Sequence, residues 1–146
     1  MKKESSCSDI GLPESSNILT FSTGILGFED IHEYELLFIE DDSPFLFIQA
    51  IGCAHPCFAA CDPVSFVPDY SVNYTDEILT ELKADSKDDL RCLAITTMSD
   101  KITDITMNLK SPIVLNIKNN LAKQFVLDVL NYPIKYRIFN NDRAAK

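Results

Sequence analysis

Three cysteines and a histidine lie close together between Cys53 and Cys61, with His55 and Cys57 between them. Thiolate sulfur and imidazole nitrogen are preferred zinc ligands, but structural zinc sites take closely spaced cysteine pairs from two separate loops. Residues 57–61 have the composition of a strand, and alternation places Cys57 and Cys61 on one face, about 13 Å apart at ~3.3 Å per residue. That separation is too large for one ion. We therefore predict no metal and no cofactor, with the cysteines serving as small hydrophobic side chains.

The chain offers little other catalytic machinery. Its only histidines are His32 and His55, and it contains no nucleophile elbow, P-loop, dinucleotide-binding glycine motif or metalloprotease helix motif. A thiol nucleophile at Cys57 needs an oriented imidazole and an oxyanion donor, and nothing in the sequence orients His55. The prediction is a protein that is not an enzyme. A small metal- or thiol-dependent enzyme centred on residues 53–61 is kept as an alternative.

The overall charge bears on the class of partner. The 146 residues carry 13 Lys and Arg against 22 Asp and Glu, a net charge of −9. Nucleic-acid binders recruit basic side chains to displace counterions, so we predict no direct nucleic-acid contact and a basic protein partner. An oligonucleotide-binding barrel module is kept as a second alternative. The chain has five cysteines, an odd number, and its first 17 residues contain no apolar region of the kind found in signal peptides. We therefore predict a reducing, cytoplasmic location without a membrane span.

Short apolar runs separated by turn residues dominate the chain. Their spacing predicts an all-β fold, mainly antiparallel, in the form of a β-barrel-like single domain. One or two short helices are expected around residues 75–90, where Thr75 and Ser86 are suitable N-caps. Residues 1–16 are predicted to be a flexible or edge segment, 17–139 the β domain and 140–146 a polar tail. The predicted strands are Ile18–Ser22, Tyr34–Ile39, Phe45–Ile51, Cys57–Cys61, Cys92–Met98, Ile105–Leu109, Ile113–Ile117 and Phe125–Leu127.

Several features suit a binding surface. Phe66, Pro68 and Tyr70 lie in an irregular segment beside acidic residues, and aromatic side chains on such segments are common at interfaces. They are equally suited to covering the core. Asn108 and Asn116 interrupt strand-like runs, where asparagine is depleted, so each marks an exposed edge or a bulge.

An ordered set of segments resembles the flagellar assembly factor FliW family over about residues 18–138. The segments are Ile18–Glu29, Asp42–Gln49, Asp62-Pro63, Phe66–Tyr70, Met107–Asn116, Lys123-Gln124, Leu127-Asp128 and Tyr132–Ile134. The chain departs from the family pattern at Ser22 and Leu26, where proline is usual, and at Ala122, where glycine is usual. The cysteines between residues 53 and 61 are not a family feature.

The resemblance implies a non-enzymatic β-barrel-like protein with two exclusive protein partners. One is CsrA, a small RNA-binding translational repressor, which such proteins stop from silencing flagellin messenger RNA. The other is newly made flagellin, which captures the factor and so frees the repressor. Together with their polar or aromatic character, the family pattern indicates partner contact for five residues, namely Asp69, Tyr70, Asn108, Lys110 and Asn116.

Overall fold

A computed structural model describes residues 17–39, 43–127 and 132–139. The predicted N-terminal segment 1–16 and tail 140–146 lie outside these residues. The strands are β1 Ile18–Phe21, β2 Glu33–Phe38, β3 Phe45–Ala50, β4 Cys57–Cys61, β5 Leu90–Thr97, β6 Thr106–Met107, β7 Ile113–Asn116, β8 Leu121–Gln124 and β9 Tyr136–Arg137. Helix α1 spans Asp76–Glu81, and single 3₁₀ turns occupy Pro63–Ser65, Lys87–Asp89 and Ile102–Asp104.

Seven of the strands close into a barrel in the order β1, β2, β3, β4, β5, β7, β8. Neighbouring strands are antiparallel except at the closure, where β8 pairs with β1 in parallel and aligns Phe21 with Ala122. Strands β6 and β9 continue the sheet outward from the end of β5. The predicted all-β, mainly antiparallel barrel is confirmed.

Alternation along the strands separates the barrel interior from its outside. In β2, Tyr34 and Leu36 are buried, whereas Glu33 and Glu35 face outward. The interior cluster also contains Leu19, Phe21, Ile48 and other apolar side chains from every barrel strand, with β4 and β8 each contributing one buried alanine, Ala60 and Ala122. Because the period is two, the side chains that face the core are alternate residues along each strand, as in β2.

A second apolar cluster lies on the outer face of β4 and β5. It contains Cys61, Tyr70, Met107, Leu109 and Ile138, all buried. Strands β6 and β9, with the irregular segment that follows the 3₁₀ turn at Pro63–Ser65, cover this face. This part of the barrel's outer surface is therefore buried.

The helical region forms where the sequence predicts it. Thr75 caps α1 by accepting a hydrogen bond from the Ile78 amide at 3.3 Å, and Ser86 caps the next 3₁₀ turn through the Asp88 amide at 3.1 Å. Ile78 and Leu82 pack against Leu90 and Val114. Across the described ranges, no helix has both the length and the apolar character needed to cross a membrane.

The prediction for the last barrel strand is wrong, because the strand begins four residues earlier. Strand β8 occupies Leu121–Gln124 rather than Phe125–Leu127. A tight turn precedes it, in which Asn119 Oδ1 accepts the Leu121 amide at 2.9 Å and Asn120 has a positive φ of 62°. Both asparagines serve the turn, so the strand begins directly after them and the polar Lys123 and Gln124 fall within it.

Candidate partner-binding surface

Tyr70 links the irregular segment to the body of the domain. Its side chain is only 4% exposed, and its hydroxyl donates a 2.8 Å hydrogen bond to the Leu109 carbonyl. Its ring lies 4.6 Å from the ring of Tyr132. Tyr70 therefore positions the segment that carries the neighbouring Asp69, which is exposed.

Asn108 shapes the chain between β6 and β7. Its Oδ1 accepts hydrogen bonds from the Lys110 amide at 3.0 Å and the Ser111 amide at 2.9 Å, while its own amide donates to the Ile95 carbonyl. These bonds fix the turn at residues 108–111 against β5. Lys110, half-buried there, donates from Nζ to the Leu127 carbonyl at 3.2 Å.

Tyr132 joins a third chain segment to the other two. Its hydroxyl accepts a hydrogen bond from the Ser71 amide at 3.1 Å, and the Pro133 carbonyl accepts one from the Leu109 amide at 3.0 Å. These contacts bring the segments at residues 68–71, 108–110 and 132–134 together. Four solvent-exposed residues of these segments define what we call the clasp surface: Pro68, Asp69, Pro133 and Ile134.

Asn116 lies apart from the clasp surface. It is 1% exposed, and its Nδ2 donates to the Leu82 carbonyl at 3.0 Å. Its Oδ1 accepts the Lys118 amide at 2.9 Å. Asn116 thus ties the end of α1 to the β7–β8 turn. Of the five predicted contact residues, the fold groups Asp69, Tyr70, Asn108 and Lys110. Asp69 is the exposed member, and partner contact by all five stays a prediction.

The sequence patterns did not indicate a cleft of about 290 Å³ between the 3₁₀ turn at Pro63 and the start of β5. Its lining includes Asp62, Tyr74, Arg91 and Cys92. The Arg91 guanidinium donates to the Asp88 carbonyl at 2.7 Å and the Leu90 carbonyl at 2.9 Å. The sequence feature that could have indicated this cleft is Asp62-Pro63, because Asp62 caps the 3₁₀ turn that forms one wall of the cleft.

The cysteines divide by environment. Cys53 and Cys57 are exposed, Cys61 is buried and Cys92 is partly buried. Cys61 Sγ lies 3.5 Å from Met107 Sδ and accepts a hydrogen bond from Thr96 Oγ1 at 3.4 Å. Within the part of the chain that the structure describes, no group of three or more His, Cys, Asp and Glu residues is arranged to hold a metal ion.

Burial of thiols and phenols predicts a loss of stability in alkali. Burial raises the pKa of Cys61 to about 11 and that of Cys92 to about 12, and it also raises the pKa of Tyr70 and Tyr74. The unfolded chain releases these protons at lower pH than the folded chain does. The free energy of unfolding is therefore expected to fall as the pH rises above about 9.

Urea denaturation at neutral pH and at about pH 10 measures this loss directly. Cys92→Ala removes one of the contributing protons and is expected to show a shallower decline than the unmodified chain. Cys57→Ala, at an exposed thiol, is the matched control and is expected to decline as steeply as the unmodified chain. Equal stability of the unmodified chain at both pH values would contradict the prediction.

Comparison with known proteins identifies one family. Residues 8–138 match the family model described as FliW protein. The flagellar assembly factor FliW of Ruminiclostridium cellulolyticum is 35% identical over 128 residues, covering 87% of this chain and 86% of that protein. The same factor from Thermoanaerobacter pseudethanolicus is 38% identical, covering 88% and 87%. The factor from Geobacillus thermodenitrificans is 34% identical, covering 94% of each chain.

A solved structure agrees with these matches. The crystal structure of a flagellar assembly factor FliW superposes with a TM-score of 0.77 at 32% identity. The superposition covers 88% of this chain and 89% of that one. Both the sequence and the fold are therefore similar to those of flagellar assembly factors over nearly their whole length.

Proposed function

Because this chain belongs to the FliW family of flagellar assembly factors, we propose that it is a non-enzymatic cytoplasmic protein that binds and antagonises the repressor CsrA. Binding relieves the repression of flagellin messenger RNA. Newly made flagellin competes for the factor and returns the repressor to its target. The observation that supports the proposal is the match to the family over nearly the whole chain.

The distribution of charge supports a basic partner. Residues 62–91 contain eight Asp and Glu residues and three Lys and Arg residues. Asp69, Asp76, Glu77, Glu81, Asp85 and Asp88 are exposed. Glu81 pairs with Lys123 at 3.3 Å. An RNA-binding repressor carries basic residues for phosphate contact, and opposite charges raise the rate of association more than the affinity.

The clasp surface, which includes Pro68 and Asp69 of this acidic part of the chain, is our proposed contact region. It presents the exposed carboxylate of Asp69 and the apolar side chain of Ile134, which is 58% exposed. The Tyr70 hydroxyl, which donates to the Leu109 carbonyl, and the Tyr132 hydroxyl, which accepts from the Ser71 amide, fix the backbone beneath it. A rigid support lowers the entropy lost on binding, because the contacting groups are already ordered.

Titration of the purified chain with purified CsrA, followed by addition of flagellin, tests the function. A stoichiometric complex that flagellin dissociates is the expected result. A reporter RNA bound by the repressor is expected to be released when the chain is added, and the chain alone is expected to leave the RNA unshifted. Absence of a complex with CsrA would overturn the proposed antagonism, and a complex that flagellin leaves intact would overturn the competition.

Asp69→Lys tests the surface separately from the function. It reverses an exposed charge, so we expect binding of CsrA to weaken by about threefold to tenfold, mainly through slower association at low salt. Asp100→Lys is the matched control, because it makes the same charge change at an exposed position outside residues 62–91. An Asp69→Lys protein that binds no worse than the Asp100→Lys protein would show that the contact lies elsewhere.

A further inference from the structure

Two exposed thiols lie at the end of the β3–β4 hairpin, and the proposed function does not involve them. Cys57 is the first residue of β4, and Cys53 lies four positions earlier in the connecting loop. Both are solvent-accessible in a chain with no partner present. The loop spans residues 51–56, because β3 ends at Ala50 and β4 begins at Cys57.

The hairpin register brings the two positions to one side chain. Gln49 is the cross-strand partner of Cys57, and the Ala50 amide donates to the Pro56 carbonyl at 3.0 Å. The Gln49–Cys57 pair is therefore of the non-hydrogen-bonded kind, in which the Cα atoms are about 4.5 Å apart and the side chains lie close together.

The same glutamine holds the loop. Gln49 Nε2 donates to the Cys53 carbonyl at 3.0 Å and to the Ala54 carbonyl at 3.3 Å. The loop thus folds back over Gln49, and Cys53 is held near the side chain that faces Cys57. A disulfide requires the two Cα atoms to come within about 4.4–6.8 Å of each other, and the contacts of Gln49 with both positions bring them toward one another.

The remaining described cysteines are less exposed than these two. Cys61 is buried against Met107 and Thr96, and Cys92 is packed in the outer apolar cluster. Burial raises the pKa of both thiols. Because the thiolate is the reactive form, Cys61 and Cys92 are expected to be oxidised more slowly than the two exposed thiols at the hairpin.

We propose that Cys53 and Cys57 form a redox-active dithiol, which a low-molecular-weight disulfide oxidises to a disulfide within the loop. One thiolate attacks the external disulfide, forms a mixed disulfide and releases one external thiolate. The second cysteine thiolate then attacks the protein sulfur of the mixed disulfide, forms the Cys53–Cys57 bond and releases the second external thiolate. Two electrons pass to the oxidant and two protons to solvent.

Incubation with oxidised glutathione, followed by intact-mass measurement and peptide mapping, tests the proposal. Cys7→Ser is used as the background, since Cys7 lies outside the described residues. The expected product has lost two hydrogens, carries a Cys53–Cys57 cross-link and leaves neither of these two thiols free until it is reduced. Cys53→Ser and Cys57→Ser are each expected to stop at one retained glutathione. Stable glutathione adducts on both cysteines of the background protein, or dimers between chains alone, would overturn the proposal.

Gln49→Ala tests the role of the loop contact. The first step, attack on glutathione, is expected to keep its rate, because the thiols stay exposed. Closure of the ring is expected to slow several-fold, since the loop is no longer held over Cys57, and the mixed disulfide accumulates. Closure as fast in Gln49→Ala as in the background protein would show that Gln49 does not position the pair.

Discussion

Tyr70→Ala is expected to lower the free energy of unfolding by about 3–5 kcal/mol, the range for removing a buried aromatic side chain. The substitution removes the ring that packs on Tyr132 and the hydrogen bond to the Leu109 carbonyl. It also opens the cluster that seals the outer face of β4 and β5. Urea denaturation followed by circular dichroism measures the change.

Tyr70→Phe is the matched control. It keeps the ring contact and removes the hydroxyl, leaving the Leu109 carbonyl without its partner. The expected loss is about 1–3 kcal/mol. If Tyr70→Ala were as stable as the unmodified chain, the buried position of Tyr70 would be wrong. Weaker partner binding by Tyr70→Ala would therefore be explained by a disturbed fold, whereas weaker binding by Asp69→Lys would be explained by a changed surface charge.

Much of the fold is readable from local sequence. In the run at Tyr34–Ile39, the polar Glu35 between Tyr34 and Leu36 indicates which face is buried, because side chains alternate between the two faces of a strand. The Thr75 cap and the apolar pair Ile78 and Leu82 locate α1, because capping and helical spacing act within a few residues. These features depend on neighbours in the chain, so the sequence contains the information needed to predict them.

The roles of the polar residues of the candidate site were harder to predict from the sequence. Asparagine in a strand-like run indicates that something other than regular pairing occurs, but it does not say whether the side chain faces solvent. Asn116 is buried, because the end of α1 supplies carbonyl acceptors for its amide. Those acceptors lie more than thirty residues earlier in the chain, and no local pattern indicates that they meet.

The same limit applies to the cysteines. Alternation assigns Cys57 and Cys61 to one face of β4 but cannot show that this face is covered at one end and open at the other. The cover comes from β6, β9 and the irregular segment around Tyr70. Cys61 is therefore buried while Cys57 remains accessible. The parallel closure of β8 on β1 likewise joins segments about a hundred residues apart in the chain.

Gly24→Ala is expected to destabilise the domain by about 3 kcal/mol, at the upper end of the range for overpacking. A Cβ atom at residue 24 would lie 2.3 Å from the Phe28 carbonyl oxygen and 2.6 Å from the Ile31 carbonyl oxygen. Both are backbone atoms, and the Phe28 carbonyl accepts a hydrogen bond from the Ile31 amide at 3.1 Å. Neither atom can move aside without opening the turn between β1 and β2.

Gly27→Ala separates this clash from conformational strain in the same turn. Gly27 has a φ of 91° and nothing within 4 Å of an added Cβ, so its substitution costs only the strain of a left-handed alanine, about 1–2 kcal/mol. Denaturation of the two variants side by side gives the comparison. The turn also carries Phe28, whose ring lies 5.5 Å from the ring of Phe58. Opening the turn in Gly24→Ala should therefore loosen that contact as well. A Gly24→Ala protein no less stable than Gly27→Ala would mean that the turn is not closed over Gly24.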